Sequence, residues 1–267
     1  MGFLSPDTVR TVHLHPGVAY RYFWSPRGPW AVHAVQVRLA DRCDLGLDVL
    51  RAVSREGGGD GRERVSDMVS RDAHRVVAAV NADFFTPEGA PVGVEIVDGA
   101  VTSAAERPTF AWRGGSAPWM GQAHLDGGVL RLGWPVGGAG DRTTAVGGFP
   151  DLLDAGRRVG DLEVSSRPSF AAARHPRTAV GWDADAGELW LVAVDGRQAP
   201  YSAGMTLPEL ASLFEALAVE EALNLDGGGS TALVVEGAVT NRPSDVTGER
   251  AVVNALALVR SAGTCRR

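Results

Sequence analysis

Apolar and polar positions alternate in short runs through the first fifty residues. Val32, Ala34, Val37 and Leu39 are the clearest set, and the period of two predicts strands over 8–24 and 31–50. Glu56–Gly61 (EGGGDG) reads as a loop and Val65–Val69 as a short helix. The apolar run Arg75–Val80 predicts a buried strand that ends in Asn81-Ala82-Asp83-Phe84-Phe85, and polar groups at the end of a buried strand mark a candidate site. From Thr86 to Gly148 the chain is rich in glycine and proline. Short strands are expected there at Val92–Val97, Val101–Ser103, Thr109–Trp112 and Val129–Leu132, and a glycine-led strand and turn follows over 147–156. Residues 160–175 read as an exposed polar connection.

The last third is more regular. Arg177–Trp182 and Leu189–Val194 predict a hairpin across 183–188. Thr206-Leu207-Pro208-Glu209 has the form of a capping box with proline in the first turn. Leu207, Leu210, Leu213, Phe214 and Leu217 then recur at helical spacing, which predicts a helix over 207–219 with its apolar stripe in the core. Ala222–Leu225, Ala232–Glu236 and Val252–Val259 read as strands. Strands outnumber helices and no βαβ series appears, so the expected fold is α+β, a mixed or antiparallel twisted sheet with a few packed helices.

Composition narrows the chemistry. The chain has 267 residues, 45% of them hydrophobic, and a net charge of −6. That is enough for one substantial core or two tightly joined lobes. No apolar run approaches the roughly 18 residues that cross a bilayer as a helix, so no membrane span is expected. Met1–Tyr20 has no basic stretch followed by an apolar one, so no signal peptide is visible; the sequence leaves a cytoplasmic or a processed exported protein equally open. The acidic balance argues against a nucleic-acid partner, and nothing sets the oligomeric state. All 26 basic residues are arginine, which excludes lysine chemistry and leaves anion recognition to arginine forks, hydroxyls and backbone N–H groups. Cys43 and Cys265 form one bridge or remain two thiols, and the six histidines show no zinc spacing. Trp112, Trp119 and Trp134 either stack on a sugar or pack under loops.

The stretch with most chemical information is Asn224-Leu225-Asp226-Gly227-Gly228-Gly229-Ser230-Thr231, a strand that ends on a carboxylate, three glycines and two hydroxyls. Three consecutive glycines suit a tight turn or a close backbone approach. Their N–H groups, with Ser230 and Thr231, offer a nest for an anion such as phosphate, although without the lysine of a P-loop. A ligand-free glycine hairpin is the alternative.

Several motifs together resemble the phosphodiester glycosidase family: Asn81-Ala82-Asp83-Phe84-Phe85, Arg177-Thr178-Ala179-Val180-Gly181, Asp195-Gly196-Arg197, Asn224–Thr231, Pro243-Ser244-Asp245 and Gly248-Glu249-Arg250 stand in the family's order. The resemblance covers about 75–260. It divides the chain into an N-terminal β-rich part of the same fold (1–75), a phosphodiester glycosidase-like domain (76–260) and a tail (261–267). Some relatives carry glycine where Asp83 stands, which makes Asp83 a feature of a subgroup. The implied activity is hydrolysis of a sugar-1-phosphodiester at the anomeric C–O bond; N-acetylglucosamine is the sugar of the best-known member. The implied partner is a small molecule or glycan carrying a phosphodiester. Such chemistry needs cations or N–H donors at the phosphate and a carboxylate at the anomeric carbon. Asp226 is the first candidate for that carboxylate, followed by Asp195, Asp245, Glu249 and Asp83. Arg177, Arg197, Arg250, Asn81, Asn224, Gly227, Gly228, Gly229, Ser230, Thr231 and Ser244 are the candidates for holding substrate and phosphate. No cofactor is expected to be required; a calcium or magnesium ion on Asp83, Asp195, Asp226 and Asp245 is the alternative. The rival readings are a metal-dependent phosphodiesterase cleaving P–O and a non-catalytic protein binding a glycan or an anionic polymer.

Overall fold

A computed structural model describes residues 2–39, 42–53, 61–134, 136, 141–159, 162–164 and 167–261. Most of the loop expected over 56–61, Cys265 and nearly all of the tail lie outside the described residues. The expected α+β class is corrected. The described residues form twenty strands and three α-helices, and every strand pair between named strands is antiparallel. The fold is mainly β because only one stretch has a sustained helical period, while sheet faces bury one another.

The largest sheet has eight strands in the order Thr8–His15, Val18–Ser25, Trp30–Arg38, Glu188–Val194, Arg177–Asp183, Glu221–Asn224, Asp151–Asp154 and Arg157–Arg158. Alternation along its strands builds two faces. On one face Val32, Ala34, Ala179, Val192 and Val194 pack with Leu207, Leu210, Leu213 and Phe214 of the helix Leu207–Ala216. That helix starts as expected: Thr206 accepts from the Glu209 N–H, and the Glu209 carboxylate accepts from the Thr206 N–H. A Cβ on Gly181 would lie 2.6 Å from the Phe214 ring, so this strand carries glycine where the helix presses closest.

On the other face Val35, Val37, Val180 and Leu191 meet Val77, Val80, Leu256 and Leu258 of a five-stranded sheet. This second sheet runs Ala238–Val239, Leu233–Val235, Val76–Asn81, Asn254–Arg260, Leu45–Arg51. Its outer face is covered by Val65, Met68 and Val69 of the short helix Val65–Ser70. A third sheet, Ala100–Ser103, Glu95–Val97, Thr143–Gly147, Pro108–Arg113, Trp119–Gln122, adds Phe110 and Val146 to the central core. The N-terminal strands are integral to this architecture. Trp30–Arg38 pairs with Glu188–Val194, and Leu45–Arg51 pairs with Asn254–Arg260. Trp119 and Trp134 meet edge-on at 5.9 Å and pack on the third sheet's own apolar cluster, so they are structural. Cys43 is disulfide-bonded. No helix among the described residues is long and apolar enough to cross a membrane.

Candidate active site

Three neighbouring strand ends of the large sheet converge on one cleft. The register that sets Ala179 opposite Asn224 carries Arg177 opposite Asp226 two residues past the ladder. The Leu225 N–H donates to the Thr178 carbonyl at 2.8 Å and continues that pairing. Opposed residues of an antiparallel pair project to the same side, which is how a cation and a carboxylate 49 positions apart come to line one cleft. The next strand, Glu188–Val194, runs into Asp195-Gly196-Arg197, and Arg197 takes a left-handed backbone at φ 60°. The cleft encloses about 370 Å³, and its polar side chains are Arg177, Arg197, His175 and Asp226. Phe84, just past strand Val76–Asn81, and Phe170, on the helix Pro168–Ala172, line it as well.

Arg177 is 2% exposed and forms no ion pair among the described residues. Its Nε donates to the Met205 carbonyl (2.8 Å), and its Nη2 donates to those of Phe170 (2.7 Å) and Ala173 (3.2 Å). The guanidinium lies over the Phe170 ring at 5.3 Å. Burial and then the neighbouring charge of Arg197 lower its pKa to about 10, which leaves it cationic at neutral pH. Arg197 is exposed, lacks a carboxylate partner among the described residues, and donates from Nη2 to His175 Nδ1 at 3.1 Å. His175 Nε2 donates in turn to the Ser169 carbonyl at 3.0 Å. Burial first, then Arg177 and Arg197, hold the His175 pKa below its ordinary value, so the neutral ring orients Arg197.

Asp226 is partly buried, and burial pushes its carboxyl up to about 6 against the opposing pull of the Ser230 hydroxyl, the Gly227 N–H and Arg250. Its Oδ1 accepts the Gly227 N–H at 2.9 Å. The buried side chain of Asn81 donates to the Asp226 carbonyl (2.7 Å) and accepts from the Thr178 hydroxyl (2.7 Å) and the Ala232 N–H (3.1 Å). Asn81 therefore fixes the turn rather than facing the cleft.

The glycine turn differs from the anion nest expected of it. The Gly227 N–H is taken by Asp226, Gly228 donates to the Pro176 carbonyl, Ser230 to Gly227, and Thr231 to Gly228. The glycines serve close approach instead. A Cβ on Gly227 would lie 2.8 Å from the Pro176 carbonyl oxygen, and one on Gly229 would lie 2.1 Å from Arg250 Nη2 and 2.4 Å from Asp245 Oδ1. The obstacle at Gly227 is backbone; at Gly229 it is the ends of two movable side chains. Gly227→Ala is therefore expected to lower stability by about 2–3 kcal/mol and Gly229→Ala by about 1 kcal/mol or less. Urea unfolding of both variants checks the order, and equal losses would contradict it.

The other candidates have different employment. Asp195 is fully buried and accepts from His33 Nε2 (3.0 Å), the Tyr201 hydroxyl (2.9 Å), Asn241 Nδ2 (3.2 Å) and the Arg242 N–H (2.8 Å). Glu249 accepts from the Ser66 N–H and hydroxyl at the start of helix Val65–Ser70. Buried Asp83 accepts from the Gly93 (3.0 Å) and Gly147 (3.2 Å) N–H groups, and burial pushes its carboxyl well above the usual range. Asp245 pairs with Arg250 at 2.8 Å beside Gly229. Asn224 donates to the Phe149 carbonyl at 2.7 Å. The hydroxyls of Ser230, Thr231 and Ser244 are buried and lack a hydrogen bond of regular geometry. No three His, Cys, Asp or Glu side chains among the described residues gather to hold a metal ion; Asp83, Asp195 and Asp226 each answer to different partners.

Sequence reasoning passed over Ser169, Phe170 and His175, which lie in the segment read as an exposed polar connection. The available signal was Arg167-Pro168, a proline placed to open a helix, and His175 two positions before Arg177.

Known proteins resemble this chain over much of its length. The family profile described as phosphodiester glycosidase matches residues 74–259. An uncharacterized SPbeta prophage-derived protein of Bacillus subtilis, YomE, is 31% identical over 209 residues, 75% of this chain and 30% of its own length. Mouse N-acetylglucosamine-1-phosphodiester alpha-N-acetylglucosaminidase is 39% identical over 83 residues, 31% of this chain and 16% of its own. The chain thus spans less than a third of either relative. Among solved structures, a hypothetical protein from Synechocystis superposes with a TM-score of 0.71 at 19% identity, covering 96% of this chain and 64% of that one. The catalytic domain of the zebrafish N-acetylglucosamine-1-phosphodiester alpha-N-acetylglucosaminidase, auto-inhibited by its pro-peptide, gives 0.67 at 22% identity, covering 94% and 81%. At these identities the solved structures show a shared fold, and the profile match over most of the chain shows the rest: the protein belongs to the phosphodiester glycosidase family.

Proposed function

We propose that the cleft hydrolyses a sugar-1-phosphodiester at the anomeric C–O bond, releasing free sugar and a phosphomonoester. One observation carries the reading: Arg177 and Arg197, two cations without a carboxylate partner among the described residues, share a cleft with a carboxylate whose pKa is raised to about 6. A cleft holding two unneutralised guanidinium groups attracts an anion, and a phosphodiester has oxygens to accept from Arg197 and from the Arg177 Nη1 that the carbonyls of Met205, Phe170 and Ala173 leave over. In the proposed step Asp226 accepts a proton from water, the water oxygen attacks the anomeric carbon, and the C–O electron pair leaves on the phosphomonoester. That leaving group is a weak base already paired with arginine, so it needs no acid. Asp226 is the single carboxylate among the described residues that line the cleft, which favours direct attack by water and inversion over a covalent intermediate that needs a second carboxylate. The names of the mouse and zebrafish relatives make N-acetylglucosamine the first sugar to try.

Turnover of a sugar-1-phosphodiester panel in ¹⁸O-labelled water tests the reading. Label in the sugar supports it; label in the phosphate transfers the protein to the phosphodiesterases, and binding without turnover makes it a binder. Arg197→Ala removes one exposed contact and is expected to raise KM about 10- to 100-fold, the value of a hydrogen bond to a charged group, with little change in melting temperature. An unchanged KM would remove Arg197 from the phosphate site.

A further inference from the structure

The two aromatic rings of the cleft lining have a third beside them. Phe84 meets Phe170 edge-on at 6.1 Å, and Phe149 lies 6.4 Å from Phe170 with the two rings 18° from parallel. Phe149 is 36% exposed. A single exposed apolar residue is ordinary, but this one is held firmly in place. Its N–H donates to the Asn224 carbonyl at 2.8 Å and its carbonyl accepts from Asn224 Nδ2 at 2.7 Å, which ties it to the strand that leads to Asp226. The backbone that carries the ring is thus fixed, and the ring stacks on a phenylalanine of the cleft wall.

Position and chemistry decide what the wall takes. Phe170 carries the Arg177 guanidinium over its ring, so the wall begins at the cation assigned to phosphate. A sugar has hydroxyls around its rim that need hydrogen-bond partners, and the side chains of Phe84, Phe149 and Phe170 supply none. We infer that these three phenylalanines form an aglycone subsite, which takes a planar aromatic group esterified to the phosphate on the side away from the sugar. Offset or edge-on contact between rings gives such a group more than its buried area alone. The inference rests on the reading of Arg177 and Arg197 as the phosphate site.

Binding of the phosphomonoester products separates this inference from the reaction. Titration calorimetry with benzyl phosphate and methyl phosphate is expected to show benzyl phosphate binding about tenfold tighter to the unaltered protein. Phe149→Ala should bring the two ligands to within about threefold by weakening benzyl phosphate alone, and Phe149→Trp should keep the preference. Phe149 stands at the surface, and the thermal midpoint of each variant checks its folding. Equal affinities in the unaltered protein, absence of binding by either ligand, or a benzyl preference that survives Phe149→Ala would each overturn the subsite. So would a loss confined to free N-acetylglucosamine, which would give the wall to the sugar. Failure of C–O cleavage in the labelled-water experiment, by contrast, counts against the reaction and leaves this comparison standing.

Discussion

Asp226→Asn is expected to lower kcat for a sugar-1-phosphodiester by about three orders of magnitude while raising the melting temperature at pH 8. The first effect follows from the role. A general base contributes about 10²- to 10⁴-fold, and an amide has no basic lone pair to offer water. Asparagine keeps the shape and can still accept the Gly227 N–H on its oxygen, so the turn is retained. Near-normal turnover by the folded variant would remove Asp226 from the reaction.

The second effect follows from the same burial. The Asp226 pKa rises from an ordinary 3.8 in the unfolded chain to about 6 in the fold. A raised folded-state pKa means that this group's contribution to stability is fully present below 3.8 and lost as pH climbs through 6. At about 1.4 kcal/mol per pKa unit, discounted for partial exposure, the ionised carboxylate weighs against folding by about 2 kcal/mol at pH 8. The variant is therefore more stable than the parent at pH 8 and indistinguishable from it at pH 3.5. Activity of the parent runs the other way, with kcat/KM rising tenfold per pH unit below 6 and flattening above it. A profile falling through that window would make Asp226 an acid. Loss of function joined to gain of stability is the signature of a residue kept for chemistry.

Much of this site was legible, for reasons that differ by residue. The carboxylate–glycine turn and the two arginines stand at the ends of apolar runs, and strand ends are where a sheet exposes polar groups. The helix was legible because Thr206 to Glu209 writes its start locally. Other features are set by distant partners. The glycine triplet suggested a phosphate nest, yet the Gly227 and Gly228 N–H groups are taken by the Asp226 carboxylate and the Pro176 carbonyl, and the Asp245–Arg250 pair crowds Gly229. The mainly β class was missed because strands of three to five residues, such as Trp119–Gln122 and Thr143–Gly147, have too few positions to show a period. Asp195 has the right chemistry for a catalytic carboxylate; only folding surrounds it with donors from residues 33, 201, 241 and 242.

That convergence makes Asp195 the residue whose loss should cost the fold most. Each carboxylate oxygen accepts two donors: Oδ2 from His33 and Tyr201, Oδ1 from Asn241 and the Arg242 N–H. An asparagine placed there can keep its oxygen on Asn241 and the Arg242 N–H only by turning its NH₂ toward His33 and Tyr201, which must then change tautomer and rotate the hydroxyl to accept it. The charge-assisted bonds from the His33 ring and the Tyr201 hydroxyl are lost in that exchange, a penalty of about 1–3 kcal/mol for each. Asp195→Asn is therefore expected to destabilise by about 3–5 kcal/mol, as breaking a buried charge contact does. For a chain of this size that is about 10 °C in melting temperature. The damage should reach the phosphate site without touching its chemistry. Asn241 also holds the Leu233 N–H and the Thr231 carbonyl, and Gln198 bonds the Arg242 and Pro243 carbonyls beside Arg197. KM should rise, therefore, while the acid limb of kcat against pH stays near 6, where Asp226 sets it. A displaced limb with an unchanged melting temperature would instead place Asp195 in direct contact with the reaction.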